Sequence, residues 1–207
     1  MSITSAGKVR GVVVLSGELF DAIEVNAART GNHQRAAVRM SRLAVQATPG
    51  GMSRAEAHVR AGEQWLLADE PATAADEFRA AIADAGPTQD DPRVPLARAM
   101  FALDRPAEAD SLLAELTASG GRLLPRTCDL VAELLTEQGD LPAAHDWATA
   151  GVQSCLASDE PEDRDELPLL LRLRYRLRVD LGLPEDDYDK MLDSTQRGRR
   201  DGPAAGT

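Results

Sequence analysis

Three alanines, Ala74, Ala109 and Ala144, stand at two successive steps of 35 residues, and the same order of small and large apolar side chains surrounds each. Four and seven residues further on come Phe78, Leu113 and Ala148, then Ala81, Leu116 and Gly151. Twelve and nine residues earlier lie Gly62, Ala97 and Ala132, then Trp65, Met100 and Leu135. Spacings of three and four residues put these positions on one face of a helix. The breaks at 69–71, 104–106 and 139–142 divide each unit into two helices, with Pro71 and Pro106 just inside the second, where a missing N–H costs nothing. Small residues let the two helices approach closely, and larger ones fill the space between successive pairs. A single pair cannot bury both of its faces, so the pairs must stack.

The pattern resembles the tetratricopeptide repeat family, with its period of about 34 residues and its signature W-x2-L-G-x2-Y…A-x3-F…P. Gly62, Trp65, Ala74, Phe78 and Ala81 match it in the first unit, and Pro87 lies near the closing proline. Later units keep the size pattern and lose the identities, since Ala97 and Ala132 replace the glycine and His58, Arg93 and Cys128 stand at the first tryptophan. The resemblance covers residues 53–157. It implies an all-α fold of stacked antiparallel helix pairs, an α-solenoid, that binds a peptide or protein segment on its concave face. Transferred to this register, the groove-lining positions are Glu56, Val59, Glu63 and Leu66, then Asp91, Val94, Arg98 and Phe101, then Arg126, Asp129 and Glu133. The basic clamps with which some members grip a C-terminal carboxylate are missing, so a basic or neutral partner is expected.

Charge divides the chain at the same place. Residues 1–51 carry 6 basic and 3 acidic groups, whereas residues 52–207 carry 17 and 31. The acidic part would be repelled by nucleic acid or an anionic membrane, so DNA could be met only through residues 1–51. The expected organisation is a basic N-terminal segment over 1–51, a repeat domain over 52–192 and a disordered tail over 193–207. The 21 Arg against 2 Lys suit a GC-rich bacterial genome.

The N-terminal segment reads differently from the rest. VRGVVVL has the alternation of a strand; Ser16 is a good N-cap, Glu18 stands in a first turn, and Leu19, Phe20, Ile23 and Ala27 follow at helical spacing. Gly31 ends that helix and Asn32 caps a second, over the run AAVRMSRLAVQA. Strand, helix, turn, helix over residues 8–45 resembles the ribbon-helix-helix repressors and antitoxins. That resemblance implies a homodimer whose paired strands enter the major groove, with Arg10, Val12 and Val14 toward the bases and Asn32 and His33 anchoring a phosphate. Val12 and Val14 depart from the polar residues usual there. Two other readings stay open: a cap packed on the repeats, or an extension without function, translation beginning at Met52. The chain is a monomer under these two and a homodimer under the first.

Beyond the repeats, residues 159–166 read as a solvated acidic loop that also places carboxylates at the start of the next helix, where they favour the dipole, and LPLLLRLRYRLRVDLG as a helix with Leu169, Leu170, Leu173, Leu177 and Leu181 on one face. Arg172, Arg174, Arg176 and Arg178 surround more than one face and cover apolar surface rather than bind nucleic acid. EDDYDKMLD then forms a short capping helix.

No catalytic constellation emerges. His33, His58 and His145 fit no metal-ligand spacing, and no nucleophile elbow or phosphate-binding glycine loop is present. Cys128 and Cys155, 27 residues apart without a CxxC, read as buried thiols. No cofactor and no metal are expected. No apolar run is long enough for a membrane span, and VVVL is too short for a signal-peptide core, so a cytoplasmic protein without membrane contact is expected. The function expected is a non-enzymatic interaction module or adaptor; the competing class is a DNA-binding regulator whose repeats sense a partner.

Overall fold

The computed structural model describes residues 15–46, 51–118 and 122–192, and all regular structure in them is helical. Two compact units meet in sequence between Asp104 and Arg105. The first holds α1 (Gly17–Thr30), α2 (His33–Gln46), α3 (Arg54–Leu67), α4 (Pro71–Asp84) and α5 (Arg93–Ala102). The second holds α6 (Pro106–Ala118), α7 (Pro125–Gln138), α8 (Leu141–Leu156) and α9 (Pro161–Asp180), followed by a short α10 over 187–192.

Local chemistry sets the helix ends. The Ser16 hydroxyl accepts from the Leu19 N–H at 3.3 Å to open α1, and the Ser53 hydroxyl accepts from the Glu56 N–H at 2.8 Å to open α3. Each first helix of a pair closes on a left-handed residue: Asp69 (φ 60°), Asp104 (φ 58°) and Gly139 (φ 82°), again 35 residues apart. Asp tolerates this conformation better than most side chains and Gly adopts it freely. After α3 and α7 the following N–H reaches back to the carbonyl five residues earlier, Glu70 to Trp65 at 2.9 Å and Asp140 to Leu135 at 3.0 Å. The backbone itself repeats.

The same device occurs at Gly31 (φ 69°), which ends α1. Each of these four left-handed residues stands five residues before a fully or almost fully buried alanine: Ala36, Ala74, Ala109 and Ala144. The α1–α2 hairpin is therefore a further helix pair, 38 residues before the next. Its Met40 occupies the place of Phe78, and both side chains are fully buried.

Every position of the repeat register is buried except Trp65, which is half-buried and donates from its indole N–H to the Ser41 hydroxyl at 3.3 Å. In the first unit α1 packs on α2, α2 on α3, α3 on α4 and α4 on α5, and α3 also reaches α5. In the second, α7 packs on α8 and α8 on α9, while α7 also reaches α9. Contacts between first helices of neighbouring pairs are what stacking requires.

The strand expected up to Leu15 lies, apart from Leu15 itself, outside the described residues, as does the expected tail over 193–207. Leu15 is fully buried in a core with Phe20, Ile23, Met40 and, from α3, Ala57 and Ala61. Its carbonyl accepts from the Met52 N–H at 2.9 Å. Arg60 of α3 reaches back to Glu24 and Asp21 of α1, at 2.5 and 2.6 Å, with its guanidinium 5.5 Å from the centre of the Phe20 ring. Residues 15–46 and α3 thus share one core.

Two details of α9 differ from the sequence reading. The helix begins earlier than expected, at Pro161, so that most of the acidic stretch is helical, and Glu162 and Asp163 lie in its first turn, where carboxylates favour the dipole as expected. Its buried face is Leu170, Leu171, Leu173, Arg174 and Leu177, while Leu169 is exposed. The phase is turned because Arg174 is wanted inside. It donates to Thr149 at 2.9 Å and pairs with Asp186 at 2.5 Å, and its guanidinium stacks 4.6 Å from the Tyr188 ring centre. Arg178 pairs with the buried Asp189 at 2.7 Å. These contacts fasten 186–192 to α9.

The closest helix approach is at Gly62. A Cβ there would stand 2.5 Å from Cε1 of Phe78, a rigid ring with no free end to swing away. Gly62→Ala is expected to destabilise the protein by about 1–3 kcal/mol through overpacking, outweighing the gain of about 1 kcal/mol in helix propensity. Adding Phe78→Leu to Gly62→Ala should cost less than the separate effects predict, as urea unfolding of the four proteins in a double-mutant cycle would reveal.

Candidate acidic recess

The groove positions expected on α3 are not equivalent in the structure. Val59 is buried in the core, which takes it out of a ligand's reach, whereas Leu66 is half-buried. Glu56, half-buried, accepts from the backbone N–H of Gln89 at 2.9 Å, which holds the segment before α5 against the start of α3. Glu63 is exposed by area. Even so, loss of hydration from the surrounding protein is the main cause that pushes its carboxyl up to about 7, with the charges of Glu24, Glu56 and Asp90 adding to it and Arg60 opposing. Glu63 thus stands among three other carboxylates, and this acidic cluster is the candidate site.

On the segment leading into α5, Asp91 is engaged by Arg93. Its carboxylate accepts from the Arg93 backbone N–H at 3.0 Å and from the guanidinium at 2.6 Å. Burial works to raise its pKa, but the bonds from Arg93 outweigh it and hold the carboxyl below its ordinary value. Val94 is buried, and Arg98 and Phe101 are half-buried. In the first unit Val59 and Val94 are withdrawn, and Glu56, Glu63, Leu66, Asp91, Arg98 and Phe101 keep accessible side chains. Helix α5 packs on α4 and reaches α3.

The second unit repeats the chemistry on α7. Asp129 is buried, and desolvation together with the charges of Glu133 and Glu166 pushes its carboxyl up to about 6, against the pull of Arg126. Arg126 and Glu133 are exposed. At equivalent places, 63 and 133, two steps of 35 apart, each unit carries a carboxylate beside other carboxylates.

The residues expected to read DNA fare differently. Arg10, Val12 and Val14 lie outside the described residues. Asn32 is exposed, but the His33 ring nitrogen Nδ1 lies 3.0 Å from Oε1 of the buried Gln64. That contact joins α2 to α3 and occupies one of the two groups expected to anchor a phosphate.

Burial pushes both cysteine thiols up, Cys128 to about 12 and Cys155 to about 11, so neither is an activated nucleophile. Among the described residues no group of three or more His, Cys, Asp or Glu is arranged to hold a metal ion, and no helix is long and apolar enough to cross a membrane. Comparison with protein-family models, with curated proteins and with solved structures returned no match.

Sequence reasoning placed Glu56 and Glu63 together but missed Glu24 and Asp90, which come from other segments. The only available signal was the N-terminal hairpin's own helical register, which places Glu24 on the side of α1 that Arg60 grips.

The raised pKa of Glu63 has a definite sign. The folded protein holds this proton up to about pH 7 and the unfolded chain only up to about 4.5, so within that window folding takes up protons and stability falls as pH rises. Asp129 acts in the same sense up to about 6. His145, held below 6.5 by burial and Arg174, tilts the profile the other way. The difference between wild type and Glu63→Gln isolates Glu63. Thermal unfolding between pH 4.5 and 8 should give wild type the steeper loss of stability toward alkaline pH, and parallel profiles would exclude the recess.

Proposed function

We propose that this protein is a non-enzymatic interaction module of tetratricopeptide-like architecture that binds a basic segment of a protein partner against α3 and α5. What supports this reading is one observation, the clustering of the carboxylates of Glu24, Glu56 and Asp90 about Glu63 on α3, close enough to act on its charge. Carboxylates forced together store electrostatic repulsion, and a cationic side chain entering among them relieves it. Leu66 and Phe101, half-buried on the same two helices, give apolar surface on which the partner's chain can rest.

An arginine or lysine is the occupant that this chemistry selects. An acidic segment would add to the repulsion, and a neutral one would leave it unrelieved while covering Glu63 further. The binding is coupled to protons, because a cation in the recess favours the ionised form of Glu63 and lowers its pKa.

Fluorescence anisotropy with a twelve-residue peptide carrying two arginines and a leucine is the direct measurement. Glu56→Lys combined with Glu63→Lys is expected to weaken binding by tenfold or more, and wild-type affinity should fall as pH is lowered from 8 to 6. An affinity indifferent to both changes would remove the proposal.

A further inference from the structure

The first unit carries a second feature, opposite in sign and on a different surface. Between α1 and α2 lies an open cavity of about 190 Å³. Its floor is apolar, formed by Leu19, Ile23 and Ala36, and its rim includes Asn26, Arg35 and Arg39. Both arginines are exposed, and among the described residues neither has an ion-pair or hydrogen-bond partner.

Such an arrangement stands out in a chain of net charge −11. Arg35 and Arg39 stand one turn apart on α2, so they repel each other. No Asp or Glu occurs between Glu24 and Glu56, a stretch that also holds Arg29, Arg42 and Arg54. The acids of α1 that could have approached, Asp21 and Glu24, are engaged by Arg60 on α3. The positive end of α2 adds to the potential at the rim.

We infer that this cavity is a docking site for an acidic segment of a protein partner, which inserts one apolar side chain onto the Leu19–Ile23–Ala36 floor and sets carboxylates against Arg35 and Arg39. The volume chooses the occupant. It lies below the roughly 300 Å³ at which sites for small organic ligands begin, and the exposed rim cannot enclose most of such a ligand. It does accommodate one leucine- or phenylalanine-sized side chain, the anchor that peptide recognition by helix grooves commonly uses. Guanidinium groups bind carboxylates in bidentate pairs, so two of them a turn apart select acidic side chains of matching spacing. A nucleic acid would gain the charge contact but has nothing to place on an apolar floor of this size.

The probe is a fluorescent twelve-residue peptide with a central leucine flanked on both sides by glutamates, titrated with the full chain at two salt concentrations. The double change Arg35→Glu and Arg39→Glu is expected to weaken binding at least tenfold, whereas Arg172→Glu with Arg176→Glu, equal in charge but distant in sequence, should leave it nearly unchanged. Ala22→Leu, at an exposed lining position, fills the cavity without altering charge and should also weaken binding, as should replacing the peptide's leucine by serine. All of these effects should persist in the Glu56→Lys, Glu63→Lys protein, which separates this site from the acidic recess. Circular dichroism checks that each variant is folded. Binding insensitive to Ala22→Leu and to loss of the peptide's leucine would overturn the inference, as would a short DNA duplex that binds more tightly than the peptide with Arg35 and Arg39 required.

Discussion

The architecture depends on one backbone event, the left-handed residue that ends each first helix. At Gly31, Asp69 and Gly139 the chain reverses, and five residues later an alanine is delivered to the core. The fixed interval sets the phase of the second helix against the first. A side chain larger than Ala at that point would hold the two helices apart, and the Gly62–Phe78 contact, already closer than a Cβ allows, would be lost. Turn geometry and core packing are therefore one constraint. The same fifth-residue interval survives in the N-terminal hairpin although the step to the next pair lengthens from 35 to 38.

That lengthening explains how unevenly the fold was legible in the sequence. Ala74, Ala109 and Ala144 stand out because nothing is inserted between their units. Ala36 and Met40 belong to the same pattern, yet three extra residues between Ala36 and Gly62 shift them out of register, and the valine run before Ser16 draws attention to a strand. In α9 the helix was readable from its leucines, and Leu170, Leu173 and Leu177 of the expected face are buried, but the burial of Leu171 and Arg174 in place of Leu169 was not readable. Leucines occupy both sides, and the deciding residue, Arg174, is buried only because Asp186, Tyr188 and Thr149 receive it. Those partners lie on other segments, and periodicity within one helix carries no information about them. The recess was half legible for the same reason: Glu56 and Glu63 lie on one helix, whereas Glu24 and Asp90 reach Glu63 only through the tertiary fold.

Electrostatics in the second unit shows that carboxylates are managed in two ways. Asp163 and Asp186 lie within reach of guanidinium groups and are held below their ordinary values, Asp163 first by the Ser158 hydroxyl and then by Arg122, Asp186 by Arg174 against its own burial. Asp129 has no such strong donor and is pushed up instead. The protein therefore spends its arginines on connections between segments, at Arg174 and Arg178, and leaves the α7 carboxylates to crowd one another. A fold that needed only stability would neutralise that crowding.

Arg60 has the corresponding role in the first unit and determines the sign of two surfaces at once. Helix α1 has only three acids, Glu18, Asp21 and Glu24. By gripping Asp21 and Glu24, Arg60 keeps Glu24 near Glu63, where it adds to the crowding of the recess, and keeps both acids from α2. The opposite side of α1, with Leu19, Ala22 and Asn26, faces the cavity and supplies no countercharge to Arg35 or Arg39. Release of Arg60 would let the acids of α1 redistribute, and both surfaces would move toward neutrality together. One buried-edge guanidinium, held over the Phe20 ring, thus keeps the charges of a five-helix unit sorted instead of cancelled.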